Sequence, residues 1–289
     1  MKPVDKYKTA AGFRMAVKSK LNDISQKTGQ DIQRIYRQTA YAQLLARLFL
    51  DDRISWALKG GHALELRLKK SRATKDVDLA MRDTKWIHSK KEEKSSALRE
   101  LLLEKSQLDL EDYFEFNISQ PVLSLDNAPY GGTRFRIEAL IDGKTFSKFL
   151  IDIGIGDAWI EPQDTLQLSS HLEELDLESF TVKAIPIEHH IAEKIHALTL
   201  PRDVSNSRVK DLVDLFLIFK FEKFSNEKIK DCIRETFTKR NTHKVPTELP
   251  IPDESWEKPF KNMMDSIDEK VAIQEAFQFV NQYFKSHLS

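Results

Sequence analysis

Lys59-Gly60-Gly61-His62-Ala63-Leu64-Glu65-Leu66-Arg67-Leu68, continued by Ser71-Arg72-Ala73-Thr74-Lys75-Asp76-Val77-Asp78-Leu79, is the stretch that decides the fold. It reads as a strand over 55–58, a diglycine turn, a short helix over 62–68, a polar loop, and a strand carrying Asp76 and Asp78. A Gly-Gly turn opening a helix presents backbone N–H groups at the positive end of the helix dipole, where phosphate binds. Strand alternation sends Asp76 and Asp78 to one side and Val77 and Leu79 to the other, so both carboxylates can reach the same Mg²⁺ ions. Close carboxylates repel unless a cation separates them. An Asp-x-Asp pair alone reads as readily as a solvated strand end. Preceded by the Gly-Gly-helix unit, it points to phosphoryl or nucleotidyl transfer.

Working outward, Asp152 follows the apolar run Phe149-Leu150-Ile151 and precedes Ile153. A carboxylate inside a buried strand is costly unless it is paired or metal-bound. Two readings stay open for it. It is the third ligand of a two-metal site, in which one metal activates the attacking hydroxyl and the other binds the triphosphate. Otherwise it is ion-paired to Arg134. Asp157 competes for the ligand role, although its Gly156-Asp157 setting is turn-like. Segments 133–141 and 145–153 flank Asp142-Gly143 as a hairpin. With a three-residue loop, Phe135 and Ile137 share a face with Ile151 and Phe149, while Arg134 pairs with Asp152 and Glu138 with Lys148. Residues 114–118 alternate as a further strand.

The periodicity predicts two helices over 13–50, broken at Gly29 and Asp31, whose Arg14, Lys18, Lys20, Arg34 and Arg37 form either a solvated face or an RNA-contacting patch. Residues 85–107 are charged and helix-prone. From 187 onward helices return, with apolar stripes at Ile187, Ile191, Ile195 and Leu198 and at Val209, Leu212, Val213 and Phe216. Four prolines make 241–259 an extended loop, and a last helix is expected over 267–284. The expected architecture is α+β: a mixed-sheet core with N-terminal helices over 1–160 and a helical domain over 161–289.

Ser71, Arg72 and Thr74 could hydrogen-bond phosphate or cap the metal-bearing strand. Lys194 lies opposite the apolar stripe of its helix and reads generically as a surface lysine, and Asp211 and Asp214 share one helix face. His62, His189, His190 and His196 lack metal-ligand spacing and read as packing or surface residues. Only His62, beside the diglycine, is placed to approach a ligand. The 45 basic and 45 acidic residues balance, so any polyanion site must be a local patch. A single cysteine, Cys232, excludes an intramolecular disulfide and a cysteine-rich zinc site, and reads as a buried apolar residue. With no apolar run of membrane length and no apolar leader at the N-terminus, the expected setting is soluble, reducing and cytoplasmic.

The Gly60–Leu68 and Ser71–Leu79 blocks resemble the nucleotidyltransferase core of the AbiEii toxins, members of the DNA polymerase β-like superfamily that include the MenT-type toxins. Asp152, the Ala192-Glu193-Lys194-Ile195-His196-Ala197-Leu198 helix, and Arg208-Val209-Lys210-Asp211-Leu212-Val213-Asp214-Leu215 agree in order and spacing. The resemblance implies a polymerase β-like fold and a toxin of a type IV toxin–antitoxin or phage-defence pair. It implies that Gly60 and Gly61 hold triphosphate, that Asp76 and Asp78 bind Mg²⁺ (two ions), that Lys194 contacts the nucleotide, and that Asp211 is the acidic residue of the last motif. Some relatives carry Gly-Ser where this chain has Gly60-Gly61, so backbone N–H groups replace a serine hydroxyl here. In MenT-type members the acceptor is the tRNA 3′ end, and the partner antitoxin is a DNA-binding regulator. Transfer to a protein or small-molecule hydroxyl, and a catalytically silent nucleotide-binding protein, are the alternative readings.

Overall fold

The computed structural model describes residues 2–51, 54–68, 70–82, 90–125, 128–157, 161–168, 171–201 and 208–288. After a short helix α1 (Pro3–Lys6), α2 (Ala10–Thr28) ends on Gly29 in the left-handed region, and the Asp31 side chain accepts from Arg34 N–H to start α3 (Ile32–Leu48). Both helices stand where the periodicity put them. Strand β1 (Trp56–Lys59) leads directly into α4 (Gly60–Arg67), so the two glycines fall in the first turn of the helix rather than ahead of it. Then follow β2 (Asp76–Met81), α5 (Lys91–Ser106), β3 (Phe114–Ile118), β4 (Leu123–Ser124), β5 (Gly132–Ile141), β6 (Lys144–Ile155), β7 (Asp164–Leu168) and β8 (Phe180–Ala184). Of the expected 85–107 helix, residues 85–89 lie outside the described residues.

The fold is α+β. The strands form one mixed sheet in the order β3-β5-β6-β2-β1-β8-β7, with β4 added beside β5. The expected β5–β6 register is present: Arg134 opposes Asp152, Phe135 opposes Ile151, Ile137 opposes Phe149 and Glu138 opposes Lys148. The loop itself is shorter than expected. Asp142 and Gly143, at φ 59° and 62°, make a two-residue turn of the kind an Asp-Gly pair favours. A bulge at Ala139/Leu140, which leaves Phe146 as the extra residue, restores the register beyond it.

Val77, Leu79, Phe135, Ile137, Ile151 and Ile153 are fully buried on one sheet face, over which α2, α3 and α5 pack. Burying such a side chain is worth roughly 1.5–3 kcal/mol. A one-residue slip of β2 and β6 would expose these groups and bury the aspartates, at a cost on the order of 10 kcal/mol. The hydrophobic pattern therefore forces Asp76, Asp78 and Asp152 onto the opposite face.

The chain divides into two compact units that interleave along the sequence: Met1–His62, Thr74–Asp157 and Thr165–Ala184 in the first, Ala63–Ala73, Ala158–Asp164 and Ile185–Ser289 in the second. The second is helical, with α6 (Ile187–Thr199), α7 (Val209–Phe221), α8 (Asn226–Arg240), α9 (Glu257–Asp265) and α10 (Ile273–His287). Its core joins Leu64 and Leu68 to the expected α6 and α7 stripes, together with Cys232. Burial pushes the Cys232 thiol up to about 12, so it behaves as an apolar side chain. Two expectations fail here. The proline-rich segment ends sooner than 259, because α9 begins at Glu257 and tolerates Pro259 in its first turn while burying Phe260 and Met264. The last helix starts at Ile273, six residues later than the pattern suggested.

Candidate active site

Four charged residues line up across neighbouring strands of the first unit. Lys59 of β1 is registered with Asp78 of β2, Asp78 with Asp152 of β6, and Asp152 with Arg134 of β5. Registered neighbours project to the same side of a sheet. The row therefore reads cation, carboxylate, carboxylate, cation, with Asp76 on the same side one step along β2. Arg134 donates from Nε and Nη2 to the two Asp152 carboxylate oxygens, each at 2.7 Å. Those hydrogen bonds raise the guanidinium pKa above its ordinary value, and the charges of Asp76 and Asp78 add to the effect. Lys59 donates to Asp157, which is buried after Gly156 (φ 80°) in the turn-like setting its sequence suggested. Of the two readings of Asp152, the ion pair to Arg134 is present, and the strand register sets the residue beside Asp78.

Gly60 does more than free backbone N–H groups. Its φ is 67°, a left-handed conformation that favours glycine, and a Cβ on it would stand 2.8 Å from the Asp78 Cβ and inside the Asp78 carboxylate. Gly60 is therefore what lets Asp78 lie against the start of α4. Gly60→Ala is expected to cost about 2–4 kcal/mol from backbone strain plus overpacking, and to displace Asp78. Thermal unfolding and a transfer assay on the variant check both parts. His62, the histidine expected near a ligand, is 1% exposed and packs edge-on to Tyr41 at 4.8 Å between ring centres. It is a packing residue.

Asp76 and Asp78 supply the oxygen donors that a hard cation prefers. Among the described residues no three His, Cys, Asp or Glu side chains form a metal-ligand group. Mg²⁺ is held by one or two carboxylates, with water and substrate phosphates completing its shell, and the Asp76–Asp78 pair fits that pattern.

The second unit gathers the other expected residues. Lys194 is not a surface lysine: it is 7% exposed, and its Nζ donates to Asp214 at 2.6 Å and Asp211 at 3.3 Å. Arg72 donates through Nε and Nη2 to the two oxygens of Asp214, at 2.9 and 2.8 Å. Burial alone would lower the Lys194 ammonium, but Asp214 and Asp211 outweigh it and raise the pKa. Burial alone would raise the Asp214 carboxyl, but Lys194 and Arg72 hold it below the usual carboxylate range. Ser71 is buried in the same unit, and Thr74 is buried in the first, where its hydroxyl reaches the Asp76 carbonyl at 3.4 Å. Arg72 is thus an acid-anchored residue rather than one left to solvent.

The expected set splits, with Gly60, Gly61, Thr74, Asp76, Asp78 and Asp152 in the first unit and Ser71, Arg72, Lys194 and Asp211 in the second. Sequence reasoning missed Lys59, although it precedes the diglycine. It left Asp214 without a role, although an acid inside Val213-Asp214-Leu215-Phe216 is a buried-charge signal. Arg14 and Lys20 of the basic helix face are engaged by Asp142 and Glu174. His190 and His196 are held below 6.5 by burial, His196 at about 4, with Arg67 and Arg240 adding respectively. The unfolded chain takes up these protons first, so stability is expected to fall as pH drops from about 6.5 towards 4. His196→Gln would flatten part of that slope in pH-dependent denaturation.

No curated protein matches the sequence. Among solved structures, MenT4, a nucleotidyltransferase toxin of Mycobacterium tuberculosis H37Rv, aligns over 93% of this chain and 99% of its own at 13% identity, with a TM-score of 0.52. JHP933 from Helicobacter pylori aligns over 87% of this chain and 93% of its own at 13% identity, with a TM-score of 0.48. The former likeness shows a shared nucleotidyltransferase fold. The model of the family described as "Nucleotidyl transferase AbiEii toxin, Type IV TA system" matches residues 43–281, which span every residue of both clusters. The chain belongs to the AbiEii family of nucleotidyltransferase toxins of type IV toxin–antitoxin systems.

Proposed function

We propose that this toxin transfers a nucleoside monophosphate from an NTP to an RNA 3′ hydroxyl, with the tRNA 3′ end as acceptor, and so blocks translation. The observation that carries the reading is the packing of Gly60 against Asp78 beside Asp76, which joins a phosphate-type helix start to two metal-type carboxylates. Asp76 and Asp78 would hold Mg²⁺, two ions in the full site, which neutralise charge developing on the phosphoryl oxygens and on the leaving pyrophosphate. Backbone N–H groups at Gly60 and Gly61 would receive the triphosphate. Lys194 would contact the nucleotide and Asp211 would hold that ammonium; Arg72, with Ser71 and Thr74, would complete the polar surroundings of the phosphates. The acceptor hydroxyl gives up its proton to solvent as its oxygen bonds to the α-phosphorus, and the α–β bridging P–O bond breaks with the electron pair leaving on pyrophosphate. In-line positioning and charge neutralisation supply most of the acceleration.

The acceptor and the partner rest on the family. Its cognate antitoxin would be a DNA-binding regulator from the same locus, and no described helix is long and apolar enough to cross a membrane. Incubating a cell extract with each α-labelled NTP and purified toxin tests the acceptor. Label in tRNA-sized RNA is the expected result. Label in protein or small molecules would replace the acceptor while keeping the chemistry, and an absence of both label and pyrophosphate with all four NTPs would overturn the enzyme reading.

A further inference from the structure

We infer that Asp214 is a positioning residue: it is the shared anchor that holds the Lys194 ammonium and the Arg72 guanidinium side by side for the phosphates of the bound nucleotide. The inference rests on the reading above, in which Lys194 contacts the nucleotide, and deepens it. Arg72, Lys194, Asp211 and Asp214 all belong to the second unit. The Asp214 Oδ2 accepts from Arg72 Nη2 at 2.8 Å and from Lys194 Nζ at 2.6 Å, while Oδ1 accepts from Arg72 Nε at 2.9 Å. Two donors on one oxygen lie no farther apart than the two bonds laid end to end, a spacing that neighbouring oxygens of a phosphate chain can span. Lys194 reaches Asp211 at the longer distance of 3.3 Å. Of the acids on Lys194, Asp214 is the nearer, and it is the one that also accepts from Arg72.

The cluster has a closed floor and an open rim. Side-chain exposure rises from 3% at Asp214 through 9% at Lys194 and 12% at Arg72 to 37% at Arg208, which approaches Asp211 at 3.8 Å. An ammonium has three N–H donors. Asp214 and Asp211 accept two of those of Lys194, and among the described residues the third has no acceptor. A phosphate oxygen supplies one. Cations already aimed by a buried carboxylate bind such oxygens without ordering two long side chains, which lowers the entropic cost of the contact. The charged groups facing Lys194 are Asp211 and Asp214 from α7 and Arg72 from the segment after α4, with His190, held neutral, one turn back on α6. Burial works against the ammonium, Asp214 leads the opposition to it, and Asp211 follows. Without the Asp214 charge the lysine gives up its proton at a lower pH, and affinity that depends on the ammonium is lost as pH rises through that lowered pKa.

Five variants of the full-length protein decide the matter: K194M, R72Q, D214N, D214N/K194M and D214E. Each is titrated with a non-hydrolysable NTP analogue at saturating Mg²⁺ between about pH 7.5 and 9.5, where the phosphates stay ionised. K194M and R72Q are expected to weaken the analogue about tenfold at every pH. D214N keeps the size of the side chain and one acceptor oxygen. Its analogue Kd is expected to be about threefold weaker than the parent's at the lower pH and about thirtyfold weaker at the higher, while the parent changes less than about twofold across the range. In D214N/K194M the pH slope is expected to vanish, because it belongs to Lys194. Parental binding by D214N, a loss that is the same at every pH, or a slope that survives without Lys194 would overturn the inference and leave the Lys194 contact standing. Parental binding by R72Q would overturn the pairing of the two cations. Parental binding by K194M would overturn the Lys194 contact and the inference together. D214E, which keeps the charge and shifts the carboxylate by one methylene, gives a second reading if D214N fails to fold. It is expected to bind at least about threefold more weakly with no new pH slope, and parental affinity or a slope like that expected of D214N would count against the inference.

Discussion

Asp78→Asn is expected to lower nucleotidyl transfer by at least about a thousandfold, which corresponds to losing about 4 kcal/mol of transition-state stabilisation. The variant is nearly isosteric, so Gly60 keeps its close neighbour and the sheet register is untouched. Only the charge changes. On the proposed reading, one carboxylate would no longer balance a divalent cation, and the charge developing on the pyrophosphate would lose its counter-charge. Folding is expected to hold, because the side chain keeps its size and its place in the sheet. Pyrophosphate release and growth arrest on induction measure the activity, and thermal unfolding measures the fold. Transfer near the parental rate in a folded D78N protein would remove Asp78 from the metal site.

Asp214→Ala carries the largest expected stability effect. Asp214 is 2% exposed and accepts from both Arg72 and Lys194, so its removal takes a two-point acceptor from Arg72 and leaves Lys194 with the longer Asp211 contact at 3.3 Å. Breaking a buried pair by deleting one partner costs about 3–5 kcal/mol, mainly from the charge left behind. For a chain of this size that is a fall of roughly 10 °C in the unfolding midpoint. The pH dependence has a definite sign. Asp214 is held below 3.8 in the fold, so its contribution is complete at neutral pH and is lost as pH falls below that value through its folded pKa. The double change D214A/K194M is expected to cost less than the sum of the single changes, since it removes one of the two buried cations that Asp214 neutralises. Strict additivity in denaturant unfolding would argue against a coupled network.

The parts of this structure legible from the chain are those set by local rules. Period-two alternation placed Asp76, Asp78 and Asp152 on the face opposite Val77, Leu79 and Ile151, and Asp142-Gly143 announced the hairpin. The bulge that leaves Phe146 unpaired was hidden, because a three-residue loop and a bulged two-residue loop give the same pairing farther along the strands. The short strands β7 and β8 escaped because their pairing lies far away in sequence; the Leu58–Ala184 neighbours are an example. Lys194 looked superficial for a similar reason. A helix wheel sees only its own apolar stripe, whereas the acids that bury Lys194 come from α7, 17 and 20 residues on. His62 erred the other way: a histidine beside a ligand-type turn is drawn inside by an aromatic partner, Tyr41, that local sequence does not reveal.

The most direct measurement combines purified toxin, total tRNA and each α-labelled NTP in turn, with Mg²⁺ or with EDTA. The expected result is label at the tRNA 3′ end with equimolar pyrophosphate, present with Mg²⁺, lost with EDTA and lost in D78N. Transfer that persists in EDTA or in D78N, or the absence of label and pyrophosphate with every NTP, would contradict it.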